Sequence, residues 1–99
     1  MMVCLGNICR SPMAAAVLHN RAAQRGVDVK VSSSGTADYH VGEGPNEMSL
    51  RVWQDSGYYY EHTAQQFRSE MFDDNDLVLV MDSSNYGNVL RLARNDTDR

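Results

Sequence analysis

Apolar positions along the chain fall into three patterns, and each predicts a different element. Met1 to Leu5 is apolar and runs into Gly6-Asn7, which predicts a very short buried strand ending in a turn. Pro12 to Arg25 has a helical period, with Met13, Ala14, Val17, Leu18 and Ala22 on one stripe. Pro12 suits the first turn of that helix, and Gly26 suits a left-handed cap at its end. Val27, Val29 and Val31 then alternate with Asp28, Lys30 and Ser32, the period of a strand. Thr36 to Gly44 reads as loop. A helix is predicted from Pro45 or Asn46 to Ser56, with Met48, Val52 and Trp53 inward and Gly57 closing it. Tyr58 to His62 reads as extended, and Gln65 to Phe72 as a short helix. Leu77 to Met81 is a continuous apolar run, the pattern of a parallel strand covered on both faces. A last helix is expected over Ser84 to Ala93, carrying Val89, Leu90 and Leu92. Strands alternating with helices imply an α/β fold, a parallel sheet with right-handed crossovers.

The 99 residues contain no repeat or linker, so one domain over residues 1–99 is expected. An apolar content of 42% with 22% charged residues suits a packed core and argues against disorder. No apolar run approaches the roughly 18 residues of a membrane span. Met1-Met2-Val3-Cys4 lacks the basic-then-apolar pattern of a secretory leader, so a cytoplasmic location is expected. Nine Lys and Arg against 13 Asp and Glu leave a net charge of −4, which argues against a nucleic-acid coat. Two cysteines, Cys4 and Cys9, are too few for a disulfide scaffold.

The chemistry concentrates in Cys4-Leu5-Gly6-Asn7-Ile8-Cys9-Arg10-Ser11-Pro12. A cysteine ends the first strand, and an arginine follows six residues later where a helix begins. The intervening residues include Gly6 and Asn7, both able to take left-handed backbone angles. Such a loop can turn the N–H groups of Leu5, Gly6, Asn7, Ile8 and Cys9 inward, beside the positive end of the helix. Arg10 adds a planar cationic fork suited to two phosphate oxygens. A thiol in that field favours its thiolate, so Cys4 is the candidate nucleophile for a phosphomonoester. The amides and the guanidinium neutralise the phosphate, and the reaction calls for no metal or cofactor.

This stretch resembles the phosphate loop of the low-molecular-weight protein tyrosine phosphatases, Cys-x4-Cys-Arg-Ser/Thr. Ser33-Ser34-Gly35-Thr36, Tyr39-His40-Val41-Gly42, His62-Thr63-Ala64 and Met81-Asp82-Ser83-Ser84-Asn85 are similar to further motifs of that family. The resemblance implies Cys4 as nucleophile, Arg10 as phosphate binder and transition-state stabiliser, and Ser11 as hydrogen-bond partner of the Cys4 sulfur. It implies that Asn7, Ser11, Ser33 and His62 form a network fixing the loop, and that Tyr39 walls the aryl ring of the substrate. The substrate would be a phosphotyrosine protein or a small aryl phosphate, with no nucleic-acid or membrane partner. The implied fold is a three-layer sandwich with sheet order 2-1-3-4. The fourth strand, a final helix and an Asp-Pro loop carrying the general acid are expected to be missing, as in a truncated domain. Leu77 to Met81 would then be an open edge, prone to dimerisation or strand swapping. Gln65, Asn46 and Met48 depart from the family's usual arginine, aspartate and arginine, with consequences for packing rather than chemistry.

Other constellations are weaker. Asp73-Asp74-Asn75-Asp76 reads as a solvated loop, and Asp96 and Asp98 as a frayed tail. Zinc held by Cys4, Cys9 and His19, His40 or His62 lacks a second close ligand pair. Tyr58-Tyr59-Tyr60 reads as an extended segment packing one ring and exposing others. Cys9 is either a small buried thiol or the partner in a reversible disulfide with Cys4. Three function classes follow: a tyrosine phosphatase, an arsenate reductase of the same fold, and an oxyanion-binding or dimerising module. Ile8 favours the first over arginine phosphatases, which tend to have threonine there. The second needs resolving cysteines downstream, and none follows Cys9.

Overall fold

The computed structural model describes residues 1–95 and 98. Three strands, β1 (Met2–Cys4), β2 (Ser33–Gly35) and β3 (Leu79–Val80), form a parallel sheet in the order β2-β1-β3. Four helices accompany them: α1 (Arg10–Gln24), α2 (Glu47–Asp55), α3 (Met71–Asp74) and α4 (Ser83–Arg91). Alternation of side chains along β1 sorts these helices into layers. Val3 points into a cluster with Phe67, Met71 of α3 and Val89 of α4. Cys4 points the other way, toward Ser11 of α1, and α2 packs on α1. The molecule is therefore an α/β sandwich, with the central strand buried along its length.

The helix ends follow local chemistry. Asn46 caps α2 by accepting from the N–H groups of Met48 and Ser49 at 3.0 and 3.2 Å. Asp82 caps α4 by accepting from Asn85 N–H at 2.8 Å. Gly26 and Gly57 take left-handed angles, φ 70° and 84°, just past α1 and α2, where a Cβ would be strained. Among the described residues, no helix is long and apolar enough to cross a membrane.

Several expectations are corrected. The strand is not Val27 to Val31 but Ser33–Gly35, because β1 offers a ladder only from Met2, opposite Ser33, to Cys4, opposite Gly35. Val27 and Val29 are consequently exposed. On α1 the buried positions are Ser11, Pro12, Ala15, Ala16 and Ala22, while Val17 and Leu18 face outward. Small side chains let the helix approach the sheet, and Ala15 and Ala16 are fully inaccessible. On α2 only Ser49 and Trp53 are buried, and Met48 and Val52 are exposed. The helix expected at Gln65 to Phe72 gives way to the four-residue α3, which begins only at Met71 and ends at Asp74, since residues 65–67 instead bond to the edge of β2. Gly35 N–H donates to Gln65 C=O at 2.8 Å, and Phe67 N–H donates to Gly35 C=O at 2.6 Å.

The run Leu77 to Met81 forms only the two-residue β3 at a sheet edge and is not covered on both faces, with Leu77 63% and Leu79 41% exposed. On α4, Asn85 and Val89 are buried and Leu92 is exposed. Asp73 and Asp98 are not merely solvated, because both carboxylates accept from the Arg94 guanidinium, at 2.7 and 2.9 Å. That contact holds both carboxyls below the usual range. Asp96 lies outside the described residues. Of the tyrosines, Tyr59 is exposed and Tyr60 donates to Val31 C=O at 3.3 Å.

The alanine face of α1 has a measurable consequence. Ala15→Leu should cost about 1–3 kcal/mol, because the sheet leaves no room for the extra methylenes. Val17→Ala should cost well under about 1 kcal/mol. Denaturant titration of both variants checks the assignment, and the reverse ranking would restore the stripe expected from periodicity.

Candidate active site

The loop between β1 and α1 is built around Asn7. It is the non-glycine residue with left-handed backbone among those described, φ 60°, and it is 1% exposed. Turned this way, its N–H donates to the Cys4 sulfur at 3.3 Å. Its Nδ2 donates to Ser11 Oγ at 2.8 Å and to Ser33 Oγ at 2.9 Å, and its Oδ1 accepts from Gln65 N–H at 2.9 Å. Its carbonyl accepts from His62 Nε2. Every polar atom of the residue is thus engaged.

That network orders the nucleophile. Because Asn7 donates to Ser11 Oγ, the serine's own proton is left for two acceptors, the Cys4 sulfur at 3.0 Å and the Ser34 carbonyl at 3.4 Å, of which the sulfur is the nearer. His62 donates from Nε2 to a carbonyl, so in the neutral ring Nδ1 accepts, with Ser33 Oγ at 3.5 Å. Burial pushes the His62 pKa down, and the bond to the Asn7 carbonyl partly opposes this. The floor beneath the loop is Gly35, where a Cβ would stand 2.7 Å from the Leu5 carbonyl oxygen and 3.1 Å from Asn7 N.

Above Cys4 lies a cavity of about 220 Å³ lined by Cys4, Leu5, Gly6, Ile8, Cys9, Arg10, Tyr39 and His40. It sits at the C-terminal end of β1, where α/β sheets bind ligands. The first turn of α1 carries no acidic residue to compete for its positive end. Arg10, the first residue of α1, lines the cavity with one arm turned aside: its Nη1 donates to Asp82 Oδ2 at 3.0 Å. The other oxygen of Asp82 caps α4, and the two contacts, the cap first, hold its carboxyl below the usual range. A larger cavity, about 610 Å³, opens among Leu18, Val29, Met71 and Leu77, and no loop residue lines it.

All the residues singled out from the sequence converge here. Cys4, Leu5, Gly6, Ile8, Cys9, Arg10 and Tyr39 line the cavity, while Ser11, Ser33 and His62 stand behind it. Asn7, expected among the phosphate-binding residues, stands behind it too, buried and with its N–H given to the Cys4 sulfur. Cys4 and Cys9 are both free thiols. Among the described residues, no three metal-ligating side chains are arranged to hold an ion. Sequence reasoning named Gly35, His40 and Asp82 within motifs and Gln65 as a departure, but gave none of them a place at the loop. An aspartate just before the helical run at Ser83 signals the cap, but a lone carboxylate gives no sign of reaching Arg10. Gln65 contributes its main-chain N–H to Asn7 and its Nε2 to Ser33 C=O at 2.9 Å, a role its residue type does not advertise.

The model of the low molecular weight phosphotyrosine protein phosphatase family matches residues 1–99. The chain is 41% identical over 98 residues to the low molecular weight protein-tyrosine-phosphatase of Streptomyces coelicolor, covering 97% of this chain and 60% of that protein. Among solved structures it is similar to YfkJ from Bacillus subtilis, with TM-score 0.90, 36% identity, and coverage of 93% of this chain and 60% of that one. It is also similar to a Drosophila arginine phosphatase, with TM-score 0.83, 33% identity, and coverage of 92% and 57%. The chain therefore spans about three fifths of the length of these relatives.

The lowered His62 pKa sets a direction for stability against pH. The unfolded chain takes up a proton at the ordinary histidine value of 6.5, and the folded chain resists it. Stability from this group is complete above that value and is lost as the pH falls through the lower folded-state value. Thermal unfolding between about pH 7 and 5 should show a falling midpoint, and His62→Gln should flatten that part of the profile. Parallel profiles would remove His62 as the source.

Proposed function

Because the chain belongs to the low-molecular-weight phosphotyrosine protein phosphatase family, we propose that it carries the nucleophilic half of a protein tyrosine phosphatase acting through a phosphocysteine. The reading rests on one observation, the Cys4 sulfur held by the Asn7 N–H and Ser11 hydroxyl beneath a cavity that Arg10 lines. The Cys4 thiolate attacks phosphorus, forming an S–P bond as the ester P–O bond breaks, and the departing oxygen takes a proton. Water then attacks phosphorus, the S–P bond breaks, and inorganic phosphate and the thiolate are released. Ser11 eases the second step by donating to the leaving sulfur. The loop amides, the α1 N-terminus and Arg10 stabilise the charge on the phosphoryl oxygens. Tyr39, 73% exposed, stands as the aromatic wall beside the substrate ring. Ile8 favours an aryl ester over phosphoarginine.

No carboxyl group among the described residues lines the cavity, which makes the leaving group decisive. Activity of this chain should depend steeply on leaving-group pKa. Phosphotyrosine, whose phenol has a pKa of about 10, should be hydrolysed about 10²- to 10⁴-fold below the rate of a full-length relative. Strongly electron-poor aryl phosphates should narrow the gap. A series of aryl phosphates measures the slope, with Cys4→Ser as the control that binds phosphate without turnover. A flat series would show that a proton donor reaches the ester oxygen. Binding without any turnover would favour the oxyanion-binding module, and full activity of Cys4→Ser would remove the nucleophile.

The exposed β3 edge supports self-association of this chain. Light scattering at micromolar concentration should show dimers or larger species, and Leu79→Lys should shift them toward monomer by placing a charge on the edge. A stable monomer without the substitution would exclude pairing at β3.

A further inference from the structure

The cavity rim holds a side chain that the proposed reaction does not use. His40 lines the cavity next to Tyr39, and its ring lies on the phosphate loop, with Cδ2 3.0 Å from where a Cβ on Gly6 would be. Gly6 does not have the left-handed backbone that Asn7 has, and a Cβ at this position would press on the imidazole. The ring is also fixed from behind. Its Nδ1 is 2.9 Å from Glu43 Oε2, and because a carboxylate only accepts, Nδ1 carries the proton. Glu43 is itself tied down, since its N–H donates to His40 C=O at 2.9 Å and its carbonyl accepts from Ala64 N–H at 2.8 Å. Two functions of the imidazole, its place and its tautomer, are settled by one turn of chain. What remains is Nε2, which in the neutral ring is an acceptor, and no partner for it is found among the described residues.

The surroundings indicate what this acceptor takes. The cavity, about 220 Å³, is below the roughly 300 Å³ at which clefts for larger organic ligands begin. It suits a phosphorylated ring, and a peptide main chain must cross the rim outside it. The rim segment from Thr36 to Met48 contains Asp38, Glu43 and Glu47 and no lysine or arginine. It offers acceptors and a single imidazole, so it suits a donor.

We propose that His40, oriented by Glu43, accepts a main-chain N–H of the substrate at or next to the phosphotyrosine, and so selects peptide substrates over small aryl phosphates. This rests on the phosphatase reading of the same cavity. His40 is a positioning residue here, as it takes no part in the bond changes at phosphorus.

The test uses the Cys4→Ser chain, which binds without turnover, and measures affinity by calorimetry. The probes are inorganic phosphate, phenyl phosphate, a phosphotyrosine hexapeptide, and the hexapeptide N-methylated at the phosphotyrosine or at the following residue. Adding His40→Ala should weaken the hexapeptide about tenfold more than phenyl phosphate, the effect of about one hydrogen bond. One of the two methylated peptides should lose a similar factor on the His40 chain and nothing further on His40→Ala, the signature of a direct contact. The methylated peptides need no change at His40, so they decide the matter even if His40→Ala does not fold. Equal losses for the hexapeptide and phenyl phosphate, or two methylated peptides that bind as well as the parent, would overturn the assignment while leaving the phosphatase reading intact. Failure of the folded Cys4→Ser chain to bind inorganic phosphate would overturn both.

Discussion

The architecture depends on one buried amide. Asn7 joins the loop, α1, β2 and the segment after His62 through a single side chain and its own peptide groups. Its cost is a left-handed backbone and the burial of an uncharged but strongly polar group, and both are offset because each donor and acceptor is matched. Remove the amide and several polar groups lose partners together: Ser11, Ser33 and the Gln65 N–H. An apolar replacement would therefore disturb the nucleophile through Ser11 before it touched the cavity. The polar floor of the site and the tertiary contacts of the sheet are the same set of bonds.

Charge is arranged against the average of the molecule. In a chain of net charge −4, the first turn of α1 carries no acidic residue and no carboxylate among the described residues lines the cavity. Two stand close by: Glu43, behind His40, and Asp82, which meets Arg10 at 3.0 Å. With Arg10 and Asp82 each roughly half exposed, their pair is worth little as stability. Its effect is geometric: a helix cap on α4 fixes the carboxylate, and the carboxylate restricts one arm of the guanidinium. An arginine at the start of one helix is thus aimed by the start of another.

The sequence was most legible where local chemistry decides the outcome. Cys4 to Pro12, the caps Gly26 and Gly57, and the helix begun at Asn46 each carry backbone preferences that no distant contact reverses. Legibility failed where a partner strand decides. Val27 to Val31 has the better strand pattern, yet Ser33–Gly35 is the strand, because pairing is limited by the reach of β1. The α1 stripe failed for a related reason: period ranks positions by apolarity, whereas close approach to a sheet selects for smallness, and Ala15 and Ala16 win over Val17 and Leu18. Leu77 to Met81 reads as a central strand, but hydrophobicity says nothing about which neighbours are present.

Gly35 ties the timescales of the site to those of the fold. It is a strand residue paired with Cys4, it bonds to residues 65–67 on its other edge, and the loop backbone passes so near that it would leave no room for a Cβ. Surface loops commonly fluctuate independently of the elements they connect. Here Thr36 N–H donates to Cys4 C=O and Ala37 N–H to Leu5 C=O, each at 2.9 Å, immediately past the glycine. For the loop to open, the central ladder must part with it. The amides of Asn7, Gly35 and Thr36 consequently belong to one cooperative unit with the sheet, and solvent deuterium reaches them through unfolding of that unit rather than through motion of the loop alone.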